Sequence, residues 1–168
     1  MTLLEFLKSL PADKGMISKK KSKLEGLGHE LLGEYFDVFC VANDKKPIAI
    51  MDGSRNNLKA LRFMHGSSTF DTATDFVRSQ NVKCMRVRGA KTYAKYIYFK
   101  SEHEDAAHGV AKILGGKYNL QIPLSVALGI LLGYSDANIK HYMLQSESTI
   151  VNDMKTSRRV ILAWVKNS

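Results

Sequence analysis

The chain has 168 residues, 45% apolar and 24% charged, which suits one domain that buries a core without disulfide or metal staples. Its 25 Lys and Arg outweigh 16 Asp and Glu for a formal charge of +9, which points to a polyanionic partner, nucleic acid or an acidic protein face. Tyr118–Ser135, the longest nearly uncharged stretch, is broken by Gln121, Pro123 and two glycines, so no membrane span is expected; Glu5 and Lys8 within the apolar start speak against a signal peptide, and the protein reads as cytoplasmic and soluble.

In chain order, Thr2 and Glu5 form a capping-box pattern that predicts a short amphipathic helix over 2–10, ended by Pro11. The densest basic run follows, with Lys19, Lys20, Lys21 and Lys23. Leu24, Leu27, Leu31 and Leu32 recur at helical spacing up to Tyr35. Phe36–Ala42 is rich in β formers, 43–47 is turn chemistry, and Ile48–Met51 completes an expected first hairpin. Residues 52–57 break that pattern, and short helices are expected around Leu58–Phe63 and over Thr69–Arg78. Val82–Arg88 and Thr92–Lys100 predict a second hairpin around Gly89-Ala90-Lys91. Ser101 is placed to cap a helix over Glu102–Leu114, whose acidic first turn suits the helix dipole and which Gly115-Gly116 ends. A helical hairpin over 121–145 turns at Gly133. The segment 149–165 suits either a helix or a terminal strand at Val160–Trp164.

The order implies an α+β fold. Two antiparallel β-hairpins lie in a mainly antiparallel sheet packed with about five helices, including a C-terminal αα-hairpin. One compact domain, 1–168, is expected. It comprises the N-terminal helix 2–10, an α+β core over 24–116, the helical hairpin 121–145 and the terminal element.

The segment Ser125–Leu144 resembles the helix-turn-helix unit of phage-type repressors. Gly129 sits where the helices approach, Gly133 in the turn, and Leu128, Leu132 and Ile139 at the packing positions. Ser135 would cap the second helix. The resemblance implies that Ser135, Asn138, Lys140 and His141 face DNA. Ile130 and Leu131, at positions solvated in that motif, and the acidic Asp136 favour an ordinary αα-hairpin within the core instead.

The second hairpin is the preferred nucleic-acid surface. Alternation places Arg86 and Arg88 on one face of their strand, with Cys84 behind them. Lys91, Tyr93, Lys95 and Tyr96 join them from the turn and the returning strand. Cationic groups would contact phosphates while tyrosine rings offer stacking platforms. The alternative is a half-buried hairpin whose aromatic rings pack on the sheet while Lys and Arg snorkel. Lys19, Lys20, Lys21 and Lys23 would add an unspecific grip. Gly53, Ser54 and Arg55, ahead of a helix, could cradle an anion or form a plain turn.

No enzymatic signature stands out, and whether the chain is an enzyme stays open. His103 and His108 are five apart, out of phase for a shared metal, and Glu104–His108 reads as a surface contact. Cys40 and Cys84 lack zinc spacing and read as buried free thiols in strand-like runs, with one disulfide the alternative. No cofactor or metal is expected. The leading expectation is non-enzymatic nucleic-acid binding. A protein-interaction module or inhibitor docking an acidic partner is the alternative, with a homodimer through the helical hairpin left open. A phosphoester hydrolase or nuclease with dispersed Asp37, Asp52 or Glu34 and a His is the third.

Overall fold

A computed structural model describes residues 33–52, 80–88, 95–145 and 153–167. In order these form helix α1 (Gly33–Ala42), strands β1 (Ile48–Asp52), β2 (Lys83–Val87) and β3 (Lys95–Phe99), and a single 3-10 turn at Ser101–His103. Four helices follow: α2 (Glu104–Leu114), α3 (Leu124–Leu131), α4 (Asp136–Gln145) and α5 (Met154–Lys166). The fold is α+β, as the element order implied.

The second hairpin forms as expected. β2 and β3 pair antiparallel, with Met85 opposite Ile97 and Arg86 opposite Tyr96. β3 also pairs antiparallel with β1, so the sheet order is β1-β3-β2 with β3 at its centre. The first hairpin does not form, because Phe36–Ala42 lies within α1 rather than in a strand. The cause is burial. All apolar residues from Phe36 to Ala42 are buried, and a helix that is apolar all round is stable in a core whatever its β propensity. β1 instead finds its partner about fifty residues later in β3.

Period-2 alternation divides the sheet into two faces. Ile48 and Ile97 are fully buried and Phe99 nearly so on the inner face, where they join a core with α2–α5. Each such side chain contributes roughly 2 kcal/mol of burial. That core takes in Ala107, Val110 and Ile113 from α2, Val126, Ala127, Ile130 and Leu131 from α3, and Ile161 and Val165 from α5. Ala49 and Met51 point to the outer face and are buried there as well, outside that cluster, and α1 packs against β1. β1 is thus covered on both sides, which departs from helices on one face alone.

Helix ends are set by local chemistry. Tyr134 N–H donates to Gly129 O (2.9 Å) and Gly133 N–H to Ile130 O (3.1 Å), closing α3 in a Schellman motif. Gly133 takes the left-handed φ of 77° that this closure requires. Ser101 does not cap α2; it opens the 3-10 turn, and His103 occupies the cap position without a side-chain bond. The terminal element is a helix throughout its described residues. Asp153 caps α5 by accepting from Thr156 N–H at 3.0 Å and from the Thr156 hydroxyl. These bonds, the hydroxyl's first, hold the Asp153 carboxyl below its usual range.

The expected helices over 2–10, 58–63 and 69–78 lie outside the described residues, as does all of 24–35 before Gly33.

Candidate nucleic-acid interface

β2 is an edge strand, and its alternation decides the chemistry it presents. Cys84, Arg86 and Arg88 fall on the outer face and are all exposed. Across the ladder stand Tyr98 opposite Cys84 and Tyr96 opposite Arg86, both half-buried. The outer sheet face is closed over β1, where Met51 faces Tyr96 and Ala49 faces Tyr98, and open over β2. The result is a short platform: two guanidinium groups beside two phenol rings, walled on one side by the buried half of the sheet. Among the described residues neither Arg86 nor Arg88 is held in a salt bridge with an acid.

Lys95 is not part of this platform. It is the ladder partner of Val87, and by alternation both belong to the inner face with Ile97 and Phe99. Sequence order had grouped Lys95 with Tyr96; the pleat separates them. Cys84 is also not the buried thiol expected, although Cys40, within α1, is. Partial enclosure pushes the Cys84 thiol above its ordinary pKa, and a hydrogen bond with Tyr98 acts the other way. Both cysteines are free. Lys91, Tyr93, Lys19, Lys20, Lys21, Lys23, Gly53, Ser54 and Arg55 lie outside the described residues.

The helical hairpin forms where the sequence placed it. Asn138 N–H donates to Ser135 Oγ (3.3 Å), so Ser135 caps α4. A Cβ on Gly129 would come within 2.9 Å of Ile139 Cγ1, so glycine is what lets these helices approach. Ile130 and Leu131 are buried with Val126, Ala127 and Gly129 of α3, as the core αα-hairpin alternative requires. Lys140 and His141 are exposed on α4, while Asp136 is tied by Arg158 at 2.5 Å. A groove of about 600 Å³ runs between the two helices, lined by Leu124, Leu128, Leu132, Ile139 and Tyr142 among others.

Asp37 and Glu104 find other partners, while the side chains of Glu34 and Asp52 lie outside the described residues. Asp37 accepts from Lys46 Nζ at 3.0 Å, and that ammonium also lies 5.4 Å from the centre of the Tyr134 ring. Burial alone would lower the Lys46 pKa, but the Asp37 charge, with smaller help from Tyr134 and Cys40, holds it above the ordinary value. The pair pins the α1–β1 loop to the α3–α4 turn. Glu104 turns to Lys83 at 3.0 Å rather than to His108. Among the described residues no cluster of three or more His, Cys, Asp or Glu could hold a metal ion. No described helix is long and apolar enough to cross a membrane.

The sequence reading missed a second basic surface. α5 carries Lys155, Arg158, Arg159 and Lys166 and no acid within its span. The signal was present as cations at positions 155, 159 and 166 around Leu162. The competing strand assignment for Val160–Trp164 hid it.

The chain matches no protein-family model, no curated protein and no solved structure.

Proposed function

We propose that the chain binds nucleic acid without chemical turnover, through the open outer face of β2 and β3. The observation that carries this reading is the pairing of exposed Arg86 with Tyr96 across the ladder, with Arg88 beside it and no salt bridge to an acid among the described residues. Guanidinium groups contact phosphates at any sequence, and a phenol ring beside them gives an unpaired base a surface to stack on. A single strand suits this platform better than a duplex, because a duplex keeps its bases stacked internally. The charge of +9 adds long-range attraction.

The test is fluorescence anisotropy of a labelled single-stranded oligonucleotide over a series of salt concentrations. Arg86→Ala with Arg88→Ala lowers affinity and flattens the log–log salt slope by about 0.7 per lost phosphate contact. Tyr96→Leu weakens binding at fixed salt and leaves the slope unchanged, since stacking releases no counterions. A double arginine variant with wild-type affinity and slope would overturn the reading.

A further inference from the structure

We propose that the outward face of α5 docks an acidic segment of a partner protein that carries a large apolar side chain. At 100° per residue, Lys155, Arg159, Leu162 and Lys166 fall within about 60° of arc on this helix. Arg158 borders the stripe on one side and Ala163 on the other. The opposite face, Met154, Ser157, Ile161 and Val165, is the one buried against the rest of the fold. The stripe therefore contributes little to the chain's own packing. Leu162 is 46% exposed at its centre. Around it lies a shallow hollow of about 460 Å³, lined by Lys155, Arg158, Arg159, Leu162, Ala163 and Lys166. The leucine and the methylene stems of the long cations make its floor, and the charged heads stand at its rim.

The charges on the stripe have few acids to meet within the fold. Arg158 is committed to Asp136 and also donates to Tyr134 O at 3.4 Å. Lys155, Arg159 and Lys166 form no salt bridge among the described residues. Asp153, the one acid at this end of the helix among the described residues, is spent on its cap, where Arg159 contributes a small part of the field that keeps it ionised.

Charge complementarity selects an anionic occupant. The apolar centre selects among anions. Phosphate contacts need only the cations, and a solvent-facing leucine adds nothing to them. An apolar side chain seated in a hollow with charged groups around it instead follows the layout of a protein interface, apolar at its centre and polar at its rim. From Lys155 to Lys166 the stripe runs about 16 Å, enough for three turns of a partner helix. This inference does not depend on the nucleic-acid reading of the sheet.

The experiment uses the full chain and three fluorescent probes. One is a 16-residue helix-forming peptide rich in Glu with a Leu stripe. The second is the same peptide with each Leu replaced by Ser, at equal charge. The third is a 15-nucleotide oligo-dT. The Leu peptide binds at least tenfold tighter than the Ser peptide, and Leu162→Ser erases that difference. Arg159→Glu with Lys166→Glu weakens both peptides at least tenfold and leaves oligo-dT within twofold of wild type. Equal binding of the two peptides, or binding of neither, overturns the proposal. So does oligo-dT binding that depends on Arg159 and Lys166 and ignores Leu162, which would assign the stripe to nucleic acid. A wild-type chain that ignores oligo-dT but holds the Leu peptide would sink the sheet reading alone.

Discussion

β1 and β2 are both edge strands of one three-stranded sheet, yet their outer faces have opposite fates. On β1 the outer residues are Ala49 and Met51, and both are buried. On β2 they are Cys84 and Arg86, both exposed, as is Arg88 just beyond the strand. An uncovered edge invites pairing with another chain, and natural sheets blunt it either by covering it or by charging it. The difference teaches that the platform's openness is encoded in strand composition: apolar outer positions recruit a covering layer, and charged ones repel it.

The sharpest way to break this comparison is to remove part of the buried layer. Phe36 is fully buried in α1. Phe36→Ala should cost about 4 kcal/mol in urea unfolding, the usual range for a core aromatic. A loss under about 1 kcal/mol, the size of an ordinary substitution, would mean that α1 is not a structural layer. The next largest effect concerns the pin beneath that layer. Lys46→Met should cost about 3 kcal/mol at neutral pH, because it removes the ammonium that faces the Asp37 carboxylate at 3.0 Å in a little-exposed site. Adding Asp37→Asn should recover part of the loss, which double-mutant-cycle unfolding would measure. The pH dependence has a definite sign. The Lys46 pKa is raised in the folded state, so its contribution is complete below the unfolded value of about 10.4. It is lost as pH climbs through the higher folded value, and the gap between wild type and Lys46→Met should narrow there.

Gly133→Ala tests the helical side, which both halves of the sheet share. A Cβ at φ 77° should cost about 1 kcal/mol, read as a lower thermal midpoint. The smallest effect is expected at the open edge. Arg86→Ala with Arg88→Ala should change stability by less than about 0.5 kcal/mol while altering binding, as for exposed positions with no packing role. A larger stability loss would reclassify the platform as structural.

How much of this was legible before folding depends on the pattern at each site. Met85–Arg88 alternates in polarity, and alternation has one meaning, a half-exposed strand. Phe36–Ala42 is almost continuously apolar, and such a run does not distinguish a buried strand from a buried helix. Its β formers pointed one way and tertiary burial went the other. Its lone charge, Asp37, becomes intelligible only once Lys46 is seen beside it. The Gly129, Gly133 and Ser135 constellation was readable because each residue serves a local need: a close approach, a left-handed turn, a cap. Grouping Lys95 with Tyr96 failed because adjacent strand residues face opposite ways, a rule visible in the sequence but applied there only to the arginines. The stripe on α5 was hidden by the choice of period. Read at 3.6 residues per turn, its cations align.

The strand order has a consequence for how this molecule is made. Among the described residues β1 and β2 share no ladder, and each pairs with β3, whose last residue is Phe99. A nascent chain that stops short of Lys95 therefore lacks the strand that joins β1 to β2. Assembly must wait for the third ribbon to leave the ribosome. During that interval the early ribbons are the part of the polypeptide most in need of a chaperone.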